Sequence, residues 1–184
     1  MAREESSLNQ PRSAPKRRRR QDGEAQLLRF LLKLVAVAVI SWVLLTYVLG
    51  IFVVHSNDMF PALRDGDLCI TWKLRKPVYG DIVSYNYDGT RRFGRVVGMP
   101  GDVIDIDDES GAYTLNGLVP NETVFYETRK DPEIPQFYPS TVGDRGVFLM
   151  NDYRDNTADS RRFGTIPLSF TDGSVAILFR RRNW

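Results

Sequence analysis

The longest uninterrupted apolar stretch lies near the N-terminus, where residues 34–54 contain no charged side chain. A helix of this length spans about 31 Å, which matches a hydrocarbon core of roughly 30 Å. The pattern predicts a transmembrane helix over residues 27–54, preceded by a polar tail over residues 1–26 that is disordered because it has too few apolar side chains to fold. A cleaved signal peptide is the alternative, but its apolar region is shorter and ends at a small-x-small site that this stretch lacks.

Beyond residue 54, short apolar and aromatic runs alternate with turn residues such as Gly66-Asp67 and Gly80-Asp81. Runs of this kind predict β-strands, and their spacing is typical of a mainly β domain, here over residues 55–184, built as a folded β-sheet or barrel. Residues 120–142 contain four prolines and predict a long surface excursion. The predicted strands cover residues 67–72, 81–87, 93–98, 103–106, 113–115, 146–150 and 174–179.

Charge is divided unevenly along the chain. Residues 1–33 carry nine Lys/Arg and four Asp/Glu, whereas the remaining residues carry sixteen and nineteen. Because basic flanks of a membrane span stay in the cytoplasm, we expect a single-pass plasma-membrane protein with a cytoplasmic N-terminus and an extracellular C-terminal domain. A domain without a basic excess argues against a nucleic-acid partner.

A single cysteine, Cys69, and a single histidine, His55, limit the chemistry that the chain can perform. They exclude an intrachain disulfide, a cysteine-based zinc cluster and a histidine-rich metal site. The acidic run over residues 102–109 does not have the ligand spacing of a calcium loop. We therefore expect no metal and no cofactor.

Three segments carry an ordered set of motifs. Residues 56–61 read SNDMFP, residues 94–102 read GRVVGMPGD, and residues 151–164 read NDYRDNTADSRRFG. In this order and after a membrane span, the set resembles signal peptidase I, a family of membrane-anchored serine endopeptidases that remove signal peptides with a Ser-Lys dyad. The resemblance covers most of residues 30–175 and implies a signal-peptidase-like β domain behind one transmembrane helix.

The chain departs from the family at both reacting positions. Asp58 stands at the position of the nucleophilic serine, and Gly94 stands at the position of the general-base lysine. In the dyad, a desolvated lysine removes the serine proton so that the alkoxide can attack the peptide carbonyl. A carboxylate is a poor nucleophile toward an amide, and glycine has no proton acceptor. We therefore expect no catalytic residue at these two positions.

Positions around the missing dyad are retained, and the resemblance implies what they do in the family. Ser56 matches an oxyanion-hole hydroxyl, Thr157 matches a hydroxyl that positions the lysine, and Asp159 with Arg161 matches a supporting ion pair. Without the dyad, we interpret these side chains as maintaining turns and strand ladders. The other retained positions are Met59, Pro61, Arg95 and Ser160.

The Asp58 carboxylate is expected to bind a hydrogen-bond donor or a positively charged side chain. We expect it to accept hydrogen bonds from the backbone of its own turn, or to attract Arg92 or Arg95. An aspartic-type pair with Asp159, in which two acids share a proton, is the alternative, although Arg161 is expected to neutralise Asp159.

The resulting hypothesis is a non-catalytic signal peptidase I homologue. Members without the dyad resemble the accessory, chaperone-like factors of sortase-dependent pilus assembly in Gram-positive bacteria. This resemblance implies pilin subunits or other exported proteins as partners at the plasma membrane, with a sortase as a further partner. An active signal peptidase I that cuts by another route is the main alternative, and a structural membrane protein without a groove function is the third.

Overall fold

The computed structural model describes residues 16–122, 124, 126–134 and 138–180, with side chains from residue 23 onward. The chain divides into two units, residues 1–42 and residues 43–184. Among the described residues, the first unit is helical and the second is mainly β, as the sequence predicts.

Helix α1 runs over Lys16–Val43 and continues as a π-helical turn over Leu44–Val48. Within it, Gly23–Val48 is long and apolar enough to cross a membrane, and its side chains are not buried by the protein. The helix therefore begins inside the tail that was predicted to be disordered, while residues 1–15 of that tail lie outside the described residues.

The predicted helix end at residue 54 is wrong, because Leu49–Val53 forms strand β1. The backbone becomes extended at Leu49, with φ of −115° and ψ of 146°. Strand β1 then pairs antiparallel with strand β2 (Leu68–Trp72), from Leu49 opposite Trp72 to Val53 opposite Leu68. Strand β2 pairs with one edge of this apolar run, and an absence of charge does not distinguish such a strand from a helix.

The other strands follow the predicted order with small changes at their ends. Two short strands and a one-turn helix, α2, were not predicted. The remaining strands are β3 (Ile82–Tyr87), β4 (Thr90–Gly98), β5 (Val103–Asp107), β6 (Ala112–Leu115), β7 (Ser140–Thr141), β8 (Gly146–Met150), β9 (Ile166–Pro167) and β10 (Thr171–Phe179), and α2 covers Ser160–Phe163.

The strands form two sheets, in which all of the described pairs are antiparallel. The larger sheet has the order β1-β2-β10-β3-β4-β8-β9, and the smaller has the order β6-β5-β7. Strand β4 lies between β3 and β8, with Gly94 opposite Val83 and Arg95 opposite Met150. This arrangement puts position 94 in the interior of the larger sheet.

Two apolar clusters flank the motif-bearing segments. One contains Met59 and Phe93, together with Val54, Leu63 and Cys69. The other packs beside Gly94 and contains Val83, Tyr85, Val96, Val147, Leu149 and Ile166. The first cluster anchors the turn that carries Asp58, since Met59 is only 1% exposed.

The excursion predicted over residues 120–142 contains one short strand, β7, among its described residues. Ion pairs attach it to the body of the domain: Glu122 pairs with Arg154 at 2.8 Å, and Asp131 pairs with Arg162 at 2.7 Å. Both partners lie in or next to the third motif, so the excursion is held against the segment that borders the site.

Candidate functional site

Asp58 lies in the turn that follows β1 and is partly buried. Its carboxylate Oδ1 accepts a hydrogen bond from the Asn156 side-chain amide at 2.7 Å. Its backbone carbonyl accepts from the Tyr153 backbone N–H at 2.9 Å. Asp58 is thus bound twice to the third motif. We had expected the carboxylate to bind the backbone of its own turn or an arginine, but its described partner is the side-chain amide of Asn156.

Arg95 is engaged on another side of β4. Its Nε and Nη2 bind the two oxygens of Asp152 at 2.6 and 2.5 Å, and its Nη1 donates to the carbonyl of Gly80 at 2.7 Å. The guanidinium of Arg92 lies over the ring of Phe163, 5.2 Å from its centroid. The structure therefore does not bring Arg95 to Asp58.

Gly94 is fully buried, and its surroundings leave little room for a side chain. A Cβ at this position would lie 3.0 Å from the Cβ of Leu149 and 3.3 Å from Cε1 of Tyr85. Both distances are shorter than ordinary van der Waals contact, so a larger residue would force its neighbours to move by a few tenths of an ångström.

Tyr85, which sequence reasoning missed, borders the position where the family has its lysine. Its side chain is completely buried, and its hydroxyl has no hydrogen-bond partner among the described residues. Burial, reinforced by the charges of Asp159 and Asp58 and opposed by Arg92, raises the pKa of Tyr85 well above its usual range. The phenol therefore stays protonated and cannot act as a base near neutral pH.

Asp159 and Arg161 form a completely buried ion pair, with Nη2 and Oδ2 separated by 2.8 Å. Asp159 also accepts from the backbone N–H groups of Asn151 and Arg161, both at 2.9 Å. A carboxylate with this many donors has no reason to share a proton with Asp58, which argues against an aspartic-type pair.

Arg161 also donates hydrogen bonds to three backbone carbonyls. It donates to the carbonyls of Arg154 at 2.7 Å, Asn156 at 2.8 Å and Arg129 at 3.0 Å. Beside it, Ser160 Oγ accepts from the Leu149 N–H at 2.9 Å, which attaches α2 to β8. These bonds set the path of residues 151–161 and therefore the position of Asn156 opposite Asp58.

Thr157 contributes to the environment of Asp131. Its hydroxyl bonds to Asp131, which also accepts from Arg162 Nε and from the backbone N–H groups of Glu133 and Ile134. Burial opposes ionisation of Asp131, but these bonds prevail and hold its pKa well below the usual range. Thr157 thus helps to hold the excursion against the third motif, a role that the family resemblance does not assign to it.

The remaining predicted positions frame the turn at Asp58. Ser56 is half-buried two residues before it, and Met59 is buried directly after it. Pro61 is exposed and follows a cis peptide bond from Phe60. Within the described residues, no cluster of three or more His, Cys, Asp or Glu side chains has a geometry that could hold a metal ion.

The sequence model of the family described as signal peptidase, peptidase S26, matches residues 27–179. The chain belongs to this signal peptidase family. Since the match includes both the apolar helix and the β domain, membrane anchoring is part of what the family assignment supports.

The relatives within the signal peptidase family include proteins named as signal peptidases and proteins named as inactive signal peptidases. The chain is 26% identical over 166 residues to signal peptidase I of Bacillus licheniformis, covering 83% of this chain and 88% of the relative. It is 23% identical over 167 residues to the inactive signal peptidase IA of Staphylococcus aureus strain MRSA252, covering 84% of this chain and 92% of the relative.

Among solved structures, a signal peptidase I from Enterococcus faecalis V583 is similar to the chain with a TM-score of 0.47. The two are 24% identical, and the match covers 55% of this chain and 98% of the other.

Viewed as a signal peptidase site, the arrangement holds the surrounding motif in place, with an aspartate at position 58 and a glycine at position 94. The residues that sequence reasoning missed are Tyr85 and Asp131, whereas Asn156 was visible within the third motif. A signal for Tyr85 existed in the alternation of β3, which puts residues 83 and 85 on one face of the strand. The register that sets this face against Gly94 arises only when β3 pairs with β4.

Proposed function

We propose that this member of the signal peptidase family is non-catalytic and serves as a membrane-anchored accessory factor for exported proteins. The observation that carries the proposal is the pair of contacts at the reacting positions. Asp58 is hydrogen-bonded by Asn156, and Gly94 is enclosed by Leu149 and Tyr85. A serine-lysine reaction needs a hydroxyl and an adjacent neutral amine, and these positions provide neither.

Three other candidate nucleophiles or bases among the described residues are buried or in contact with other groups. Cys69 is fully buried, and its burial together with the charge of Asp67 raises the thiol pKa to about 11, so it is not a thiolate. Lys73 donates its Nζ to the carbonyl of Thr46, and Lys130 packs over the ring of Tyr138. These contacts favour loss of peptidase chemistry over a change of catalytic residues.

The accessory role rests on the Asp58 and Gly94 replacements, which resemble those of the signal-peptidase-like factors of Gram-positive pilus assembly. The partners in this proposal are exported proteins, with pilin subunits of sortase-dependent pili as the first candidates and a sortase as a further one. The basic residues 16–20 stay in the cytoplasm, which puts the β domain outside the plasma membrane. An extended segment of an exported protein can then bind without being cut.

Cleavage of a labelled pre-protein by the purified full chain in detergent tests the non-catalytic part. An active signal peptidase I is the positive control, and we expect no product above the buffer blank. Specific cleavage after a small-x-small site that disappears in Asp58→Ala would overturn the proposal.

In-cell crosslinking tests the accessory part. A photo-crosslinking residue at Phe60, which is 37% exposed next to the site, is compared with one at Leu118, which is 75% exposed in the smaller sheet's turn. We expect pilin or other exported proteins to be captured from position 60 and not from position 118. Equal capture at the two positions, or none at either, would contradict a partner at this site.

A further inference from the structure

Arg92 is a half-buried cation to which the described residues supply no carboxylate. Among them, the β domain has five arginines that are at least partly buried. Four of these form ion pairs of 2.5–2.8 Å, namely Arg95 with Asp152, Arg154 with Glu122, Arg161 with Asp159 and Arg162 with Asp131. Arg92 is the fifth. A charge that is partly removed from water without a counter-ion is unfavourable, so the position is suited to an anionic partner from outside the chain.

The guanidinium of Arg92 is held in one orientation by aromatic rings. It lies over the ring of Phe163, 5.2 Å from the centroid, and Phe163 is itself stacked on Tyr87 with centroids 4.2 Å apart and planes inclined by 18°. The Nε of Arg92 is shielded from solvent and has no acceptor among the described residues. A guanidinium that stacks on a ring keeps the N–H donors along its edge for a second, in-plane partner.

The surroundings of Arg92 contain donors in excess of acceptors. Tyr85 lies directly opposite Arg92 in the pairing of β3 with β4, so the two side chains project from the same face of the sheet. The Tyr85 hydroxyl also has no partner among the described residues. Two nearby acids, Asp58 and Asp159, raise the pKa of Tyr85, but each is already bonded to other side chains. Neither of them forms an ion pair with Arg92.

Strand β4 has an open edge beside Arg92. The strand pairs with β3 from Thr90 to Arg95, whereas its described pairs with β8 begin only at Arg95, opposite Met150. Over residues 90–94, therefore, one edge has no strand partner among the described pairs. An extended segment that adds to such an edge places every second side chain on one face of the sheet, and this can be the face of Arg92.

We propose that Arg92 binds a carboxylate of the extended segment that the exported partner places beside β4, and that the site therefore selects acidic segments. The edge of a guanidinium matches the two oxygens of a carboxylate, which can come from an Asp or Glu side chain or from the C-terminus of the segment. The inference rests on the accessory function proposed above and adds the chemistry of the segment that the site takes.

Peptide binding to the full chain in detergent, measured by fluorescence polarisation, tests the selection. Three extended Ala/Thr peptides carry the same uncharged fluorophore: one has a central Glu and an amidated C-terminus, one has Gln in place of Glu, and one has Gln and a free C-terminus. We expect the first or the third to bind about tenfold more tightly than the amidated Gln peptide, which identifies the source of the carboxylate. Equal affinities would overturn this inference and leave the accessory function standing, whereas no binding of any peptide would overturn both.

Substitutions at Arg92 assign the selection to one side chain. Arg92→Gln should reduce the preference for a carboxylate to about twofold or less, and Arg92→Glu should reverse it, so that a peptide with a central Lys binds more tightly than the Glu peptide. A reversed preference requires a folded site and so does not arise from misfolding. Arg91→Gln is the matched control on the same strand, because the Arg91 guanidinium already pairs with Asp172 at 2.6 Å, and it should leave the preference unchanged. An unchanged preference in Arg92→Gln, or an equal loss in Arg91→Gln, would overturn the proposal.

Discussion

The side-chain amide of Asn156 donates a hydrogen bond to the carboxylate of Asp58 over 2.7 Å, which joins residues from the first and third motifs. This bond occupies the position at which active members of the family have a nucleophile. Because Asn156 is itself positioned by Arg161, through a bond from Nη2 to its carbonyl, Asp58 is part of the same polar network as the buried ion pair. The side chain at position 58 therefore makes a structural hydrogen bond.

Asp58→Ala is therefore expected to lower stability and not to change a reaction. The substitution removes one charged acceptor from a partly buried pair, which is worth about 1–2 kcal/mol at this degree of exposure. Thermal unfolding of the full chain in detergent measures the loss. Asp65→Ala, at a nearby exposed carboxylate, is the control and should change stability by less than about 0.5 kcal/mol. Equal effects of the two substitutions would contradict a structural role for the Asp58 side chain.

Gly94→Ala is expected to destabilise the domain by about 1–3 kcal/mol, because the added methyl group overpacks a full site. The new Cβ meets Leu149 at 3.0 Å and Tyr85 at 3.3 Å. Gly143→Ala is the matched control, since a Cβ there has no neighbour within 4 Å. The same unfolding measurement compares both variants, and an equal change in the two would show that the site around Gly94 is not tightly packed.

Asp58→Ser combined with Gly94→Lys is expected to restore slow cleavage of a pre-protein, whereas either change alone restores none, because the hydroxyl and the amine act as a pair. Neighbours of position 94 must move by a few tenths of an ångström to admit the Cβ of the lysine alone. Catalytic geometry tolerates an error of only about 0.5 Å, so the rate should remain far below that of an active enzyme. The pre-protein cleavage assay measures it, and activity in either single variant would contradict the paired mechanism.

Tyr85→Phe is expected to stabilise the domain by about 1–2 kcal/mol, because it removes a buried hydroxyl that has no partner among the described residues. Tyr113→Phe is the opposite control, since its hydroxyl donates to Glu122 at 3.2 Å and its loss should destabilise. Thermal unfolding of the two variants reports the difference in sign. Destabilisation by Tyr85→Phe would mean that an ordered water or ligand binds this hydroxyl.

Acid is expected to weaken the domain partly through Asp131. Its hydrogen bonds hold the folded-state pKa well below the unfolded value of about 3.9, so its contribution is complete above that pH and is lost as pH falls toward the folded pKa. Asp131→Asn should lower stability at neutral pH and flatten the decline below about pH 4. Unfolding measured across this range tests the prediction, and an unchanged slope would contradict it.

The strand pattern was readable from the sequence because β-branched and aromatic runs were separated by glycine-containing turns. Gly80 illustrates this, since it adopts a positive φ of 81° two residues before β3 begins. The end of the transmembrane helix was not readable, because Leu49–Val53 is equally apolar as a helix in lipid or as a paired strand. Only the hydrogen bonds to β2 decide between them.

The site was predictable at the level of motifs and not at the level of contacts. Asp58 and Gly94 could be identified by their neighbours in sequence, as could the pairing of Asp159 with Arg161. The partner of Asp58 depended on how residues 151–161 curve around Arg161, and the neighbour of Gly94 depended on the register between β3 and β4. Both are consequences of tertiary structure, which local pattern does not contain.

The buried pair of Asp159 and Arg161 holds the third motif in shape independently of the residue at position 94. The groups that shape the third motif bond to backbone carbonyls and amides, and none of these bonds involves position 94. The fold of the third motif therefore does not depend on a side chain at position 94, and a change at that position leaves these bonds in place. A set of family motifs of this kind identifies the fold, whereas peptidase activity has to be verified at positions 58 and 94.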